Sequence, residues 1–214
     1  KPAYLLARHN LRADQPVLLT VARLDSHERY KGYDTIIRAL PKIRKVLPKV
    51  HYLLVGKGKD RTRIEELVRS LDLTSNVTLV GYVPDEELCD YYNLCDVFAM
   101  PSKKEGFGIV FLEALACGKP VLAGNQDGSV DALCHGKLGV LVDPDKVDEI
   151  ADALVKMLQR EYAHPLIYNP QALRQSVLDI YGFDQFKETV ATFLERGTAE
   201  MTVSSRAFVA GKVE

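Results

Sequence analysis

Short β-rich runs alternate with helix-spaced segments along most of this chain, and that alternation leaves few folds open. VLLTVA (Val17 to Ala22) is a continuous run of the kind found in a strand covered on both faces. YDTIIRALPKIRKVLP follows, with Ile36, Ile37, Leu40, Ile43 and Leu47 at helical spacing and Pro41 inside, where it is expected to kink or divide the helix. HYLLVG reads as a second strand, TRIEELVRSLDL as a helix with Ile64, Leu67, Val68 and Leu71 on one face, and VTLVG as a third strand. DEELCDYYNLC is a short helix with Asp85 as its expected N-cap. VFAMPS is a fourth strand, and IVFLEALAC is a helix stopped by Gly118 and Pro120. PVLAG and GVLVDP give two more strands, and VDEIADALVKMLQ an amphipathic helix. Parallel strands require such helical crossovers. The expected fold is therefore α/β: a doubly wound, mostly parallel, Rossmann-like sheet with helices on both faces. Sheets of this kind bind ligands at the carboxyl ends of their strands.

Four segments follow from the pattern. Residues 1–16 lack an initiating Met and read as an interdomain linker, so the chain is expected to be a piece of a longer protein. Residues 17–160 hold the alternating pattern. Residues 161–196 give one or two helices with no strand between them. Residues 197–214 are small and polar and are expected to be weakly ordered. With 28 Lys+Arg against 29 Asp+Glu, the chain lacks the basic excess of a general nucleic-acid binder. Its four cysteines show no C-x-x-C pairing, which fits reduced thiols in a cytoplasmic protein.

The loops after the strands carry the candidate chemistry. RLDSHERYKGYD, after the first strand, gathers Arg23, His27, Arg29 and Lys31 ahead of a helix, which suits an anion such as a diphosphate. A solvated basic loop is the plain alternative. GKGKDR, starting at Gly56, resembles a dinucleotide fingerprint, but Arg61 stands at its third glycine position and no acidic residue ends the next strand. GYVPDEE offers the backbone of Tyr82 and Val83 to a base edge, although a turn explains it equally well. EGFGIVFLEALACGKP places Glu105, Gly106, Phe107, Gly108 and Ile109 at a bare helix start, whose first amides have no intrahelical partner. Glu113 is the single charge on that apolar helix. A carboxylate there costs several kcal/mol unless something pairs with it. The vicinal hydroxyls of a ribose are one such partner; a narrow solvent-facing stripe is the other reading.

Taken together, VARL…YKGYD, VGKG, VTLVGYVPDEEL, EGFGIVFLEALACGKPV and GVLVDP, in that order, resemble the C-terminal, donor-binding domain of retaining glycosyltransferases of family 4, which have the two-domain GT-B fold. The resemblance implies that Arg23 and Lys31 hold the diphosphate of a UDP- or GDP-type sugar donor, and that Glu105 approaches the sugar hydroxyls. It further implies that Glu113 accepts from the ribose, that Phe107, Gly108 and Ile109 line sugar and phosphates, that Gly56 lies in the donor pocket, and that Tyr82 and Val83 meet the base. No metal and no cofactor beyond the nucleotide sugar is implied. The acceptor, a glycan or lipid-linked molecule, would sit mainly on an N-terminal domain absent here, through which the protein would also touch the inner face of the membrane. Residues 161–196 would cross back to that domain, and this chain alone would transfer no sugar. The loop GNQDGSVDAL departs from the family's usual Gly-Gly-x-x-Glu, with Asp131 where Glu is usual, which leaves the donor sugar open. A non-catalytic nucleotide-sugar-binding module and a nucleotide-sugar 2-epimerase share much of this pattern.

Overall fold

A computed structural model describes residues 1–194. Lys1–Arg174 form one compact unit, and the chain from Gln175 forms a second. The first unit is built on six strands: β1 (Val17–Val21), β2 (His51–Val55), β3 (Val77–Gly81), β4 (Val97–Met100), β5 (Val121–Gly124) and β6 (Val140–Val142). All pair in parallel, in the order β3-β2-β1-β4-β5-β6. The chain winds outward from β1 to β3, then returns to lay β4 on the other side of β1. The switch point, where ligands of doubly wound sheets bind, therefore lies at the C-terminal ends of β1 and β4. Thr20 ties these two strands: its hydroxyl donates to the Ala99 carbonyl and accepts from the Tyr52 hydroxyl at 2.8 Å.

The helices are α1 (Ala3–Arg8), α2 (Tyr33–Val46), α3 (Arg61–Ser70), α4 (Asp85–Leu94), α5 (Ile109–Ala116), α6 (Ser129–Ala132), α7 (Val147–Gln159) and α8 (Pro170–Tyr181). The core is formed by the strands with Ile36, Ile37, Leu40 and Ile43 of α2 and Ile150, Leu154 and Met157 of α7. That packing explains why Pro41 neither divides nor ends α2. A proline inside a helix costs about 3 kcal/mol. Each aliphatic side chain fully buried returns about 1.5–3 kcal/mol, and α2 buries four.

Three further expectations are revised. The segment read as a linker, residues 1–16, contains α1, with Leu5 fully buried. Tyr4 donates to Asp90 and Arg8 pairs with Glu87, which fixes α1 on α4; Lys1, ahead of α1, pairs with Asp96, past the end of α4. Residues 161–174, expected among crossing helices, belong to the sheet unit, with Ile167 and Leu173 buried. The N-cap of α4 is Pro84; Asp85 is instead the first of three carboxylates in the opening turn, where they favour the helix dipole. In the second unit, residues 183–194 are also helical and expose Phe183, Phe186 and Phe193. The expected weakly ordered tail, 197–214, lies outside the described residues.

Candidate functional site

A cavity of about 800 Å³ opens at the switch point. It is lined by the loops after β1, β2, β3 and β4, together with the first residues of α4 and α5. Of the residues singled out in the sequence, Arg23, Lys31, Gly56, Tyr82, Val83, Glu105, Phe107, Gly108 and Ile109 all line it. Glu113 does not.

The β1 loop turns through a 3-10 segment, Ser26–Lys31, and ends at Gly32 with φ 81°. A β-carbon at Gly32 would lie 2.2 Å from the Pro101 carbonyl oxygen, so only glycine lets the β1 and β4 loops approach this closely. Tyr30 and Lys103 join the same loops by a backbone hydrogen bond of 2.9 Å. The approach brings Lys31 into a salt bridge with Glu105, both side chains being largely covered. Arg23 pairs with Glu28 at 2.8 Å, but its guanidinium side chain is 78% exposed. The other oxygen of Glu28 is buried and has no hydrogen-bond partner.

The β4 loop rises to Gly108, which caps α5 with φ 89° and has no side chain to bond the first amides. A β-carbon there would strike the Phe111 ring at 2.4 Å. Gly106 differs: its β-carbon would meet nothing within 4 Å, so packing within this chain does not demand a glycine there. The loop is held from below by Asp127, which the sequence reading passed over. One Asp127 oxygen accepts from the Glu105 amide at 2.7 Å and from the Ser102 hydroxyl at 2.8 Å; the other accepts from the Ser129 amide at 3.0 Å. The atypical loop after β5 thus acts as a buttress for Glu105. The sequence shows only its local turn to Ser129; the partners that make Asp127 a support for this loop, Glu105 and Ser102, lie more than twenty residues away.

Glu113 sits on α5 behind the cavity wall. One of its oxygens accepts from the Tyr92 hydroxyl of α4 at 2.6 Å. Tyr92 was likewise missed. Burial, reinforced by the Glu113 carboxylate, raises the Tyr92 phenol well above its ordinary range. The lone charge on this apolar helix is therefore stabilised by a neutral donor within the chain. Between the β2 and β3 loops, the Lys57 ammonium lies 4.9 Å from the centre of the exposed Tyr82 ring.

The four basic residues of the β1 loop separate. Arg29 turns inward to Asp60, with contacts of 2.9 and 3.2 Å. Asp60 also takes Arg63 and the Tyr33 hydroxyl, and Arg63 continues bidentately to Asp34 at 2.8 Å. Hydrogen bonds from Arg63, and then from Arg29, hold the Asp60 carboxyl down at about 2 against the opposing effect of burial. His27 is exposed and does not line the cavity.

A sequence model of the family described as glycosyl transferases group 1 matches residues 5–172. A GDP-mannose-dependent alpha-(1-6)-phosphatidylinositol monomannoside mannosyltransferase of Mycobacterium tuberculosis is 37% identical over 163 residues, covering 73% of this chain and 41% of that protein. A D-inositol 3-phosphate glycosyltransferase of Mycobacteroides abscessus is 32% identical over 189 residues, 82% of this chain and 41% of that protein. Among solved structures, sucrose-phosphate synthase of Thermosynechococcus elongatus superposes with a TM-score of 0.77 at 30% identity, over 93% of this chain and 49% of the other. Anabaena HepE in complex with UDP superposes with a TM-score of 0.78 at 24% identity, over 91% of this chain and 52% of the other, a likeness of fold. The chain thus spans about half the length, or less, of the proteins it matches.

Proposed function

The chain belongs to the glycosyl transferases group 1 family, and from that premise we propose that it is the donor-binding half of a retaining, metal-independent hexosyltransferase. The observation that carries the proposal is the convergence of Arg23, Lys31 and the uncapped start of α5 on one cavity at the switch point. A diphosphate placed there meets two cations and a helix N-terminus together. Gly106, which this chain does not need for its own packing, leaves room for a ligand to approach the backbone.

The pairings define what each side chain does. When the diphosphate takes Lys31, Glu105 loses its partner and turns its acceptor oxygens to the sugar hydroxyls. Arg23 is already exposed and free to turn to phosphate, whereas Glu28 is largely covered with one oxygen unpartnered, so the diphosphate has to offset the loss of the Arg23–Glu28 pair. As the bond from the anomeric carbon to the diphosphate oxygen breaks, negative charge grows on the leaving group. Arg23 and Lys31 stabilise that charge directly. Tyr82 and Val83 border the base, and Phe107, Gly108 and Ile109 border sugar and phosphates. Glu113 is the proposed acceptor for the ribose hydroxyls; it lies behind the cavity wall with one oxygen held by Tyr92, so a ribose reaches it only when that wall shifts on binding.

The relatives named GDP-mannose-dependent favour GDP-mannose as donor and a lipid-linked or glycan acceptor. The acceptor site, and with it transfer activity, belongs to a second domain, through which a cytoplasmic enzyme would reach the inner face of the membrane. Among the described residues, no helix is long and apolar enough to cross one.

Calorimetric titration of this chain with GDP, UDP, guanosine and uridine tests the proposal. GDP is expected to bind far more tightly than guanosine, without added metal. Equal affinity for diphosphate and nucleoside sinks it. With the longer protein, GDP-mannose and a lipid acceptor, the product is expected to keep the anomeric configuration of the donor in the presence of a chelator.

A further inference from the structure

Two thiols meet across the seam between α4 and α5. Cys89 Sγ and Cys117 Sγ lie 3.6 Å apart, in contact but unbonded. A disulfide needs about 2.0 Å. Cys89 is exposed and Cys117 half-buried. The pair forms the next layer of the seam beyond Tyr92 and Glu113. Cys89 precedes Tyr92 by three residues on α4, and Cys117 follows Glu113 by four at the end of α5, spacings that share a helix face. Of the other cysteines, Cys95 is buried and bonds the Tyr92 carbonyl, and Cys134 lies just past α6.

We propose that Cys89 and Cys117 are an oxidant-responsive dithiol whose disulfide locks α4 to α5 and weakens binding of a nucleoside diphosphate. With a peroxide as oxidant, the Cys89 thiolate attacks one peroxide oxygen, the O–O bond breaks, and hydroxide leaves to become water; Cys89 is now a sulfenic acid. The Cys117 sulfur then attacks that sulfenic sulfur, the S–S bond forms, and the sulfenic oxygen departs as a second water carrying the Cys117 proton. Two thiols lose two electrons, and one peroxide becomes two waters. Exposure makes Cys89 the first target. Burial pushes the Cys117 thiol up to about 12, which keeps it protonated until a sulfenic acid stands beside it.

A disulfide ties α4 to α5 one turn from the Tyr92–Glu113 hydrogen bond, which is already 2.6 Å long. The tie opposes the separation of the two helices that would release the Glu113 carboxylate to a ribose. The effect on affinity rests on the ribose reading above; the disulfide itself does not.

The test compares the reduced full chain with the same chain after hydrogen peroxide under native conditions, by non-reducing peptide mapping and by calorimetry with GDP. The expected product has lost two hydrogens and yields a Cys89–Cys117 linked peptide. Its GDP affinity is expected to fall at least about fivefold, within the usual range for coupled sites. A thiol reductant restores it; neither Cys89→Ser nor Cys117→Ser yields the linked peptide, and peroxide leaves the GDP affinity of both unchanged although Cys89 of Cys117→Ser is oxidised to a sulfenic or sulfinic acid. Linkage through Cys95 or Cys134, or over-oxidation of Cys89 alone, overturns the dithiol. A mapped Cys89–Cys117 bond with unaltered GDP affinity overturns the lock. If the reduced chain binds no GDP at all, the proposed function and the lock fail together, while the mapping still decides the dithiol.

Discussion

The β1 loop feeds two ion clusters that answer to different demands. One is the pair of cavity contacts, Arg23–Glu28 and Lys31–Glu105. The other is the network of Arg29, Arg63, Asp60, Asp34 and Tyr33 beneath the loop. In the network, every donor named meets a carboxylate and Asp60 is almost fully buried, so the charges fix the loop. In the cavity wall, each cation has a single carboxylate partner, Arg23 being largely exposed and Lys31 largely covered, so an anion in the cavity competes with one partner only. Two cations two residues apart thus take different partners: Arg29 the buried Asp60, and Lys31 a carboxylate in the cavity wall.

The sharpest way to break this contrast is Asp60→Ala. It takes the carboxylate from Arg29 and the Tyr33 hydroxyl and leaves Arg63 on Asp34 alone. Removing one partner of a buried ion cluster costs about 3–5 kcal/mol, and the partly exposed arginines place this case near 3 kcal/mol. Denaturant unfolding reads it; an unchanged midpoint would show the network to be incidental. The pH dependence follows from the same group. The Asp60 carboxyl is lowered from an ordinary 3.8 to about 2, so its contribution is complete above pH 3.8 and disappears as pH falls through about 2. The loss amounts to about 2 kcal/mol. Stability of the wild type is expected to fall across that window more steeply than that of Asp60→Asn.

The cavity side gives the opposite signature. Lys31→Ala is expected to remove about 2 kcal/mol of GDP affinity, the range for a charged hydrogen bond, and to leave guanosine binding unaltered. Calorimetry with both ligands separates the cases. Equal losses would move Lys31 into the structural class with Arg29.

All six strands were legible because a parallel strand buried on both faces is a continuous apolar run, as in VLLTV and HYLLV, bounded by breakers. Two helices were not. AYLLAR and SVDA are too short to show a period, and docking alone stabilises them. The loops of the site were legible because the fold assigns function to strand ends. The direction each charge takes inside a loop was not. RLDSHERYK shows a row of cations, and only tertiary contacts with Asp60 and Glu105 sort them. Asp127 and Tyr92 escaped for the same reason: each acts on a residue more than twenty positions away.

Glu113 stands between the two clusters in character, and Tyr92→Phe decides which it resembles. The substitution removes one hydroxyl and keeps the ring that packs 5.7 Å from Phe98. It leaves a half-buried carboxylate without its donor, at a cost of about 1 kcal/mol in stability. If Glu113 is structural, as Asp60 is, that loss is the whole effect. If it reads ribose, as proposed, the tyrosine competes with the ligand, and its removal strengthens GDP binding by up to about 1 kcal/mol while destabilising the free chain. The two readings therefore differ in the sign of the calorimetric change, since a purely structural carboxylate gives no gain in affinity when its donor is lost.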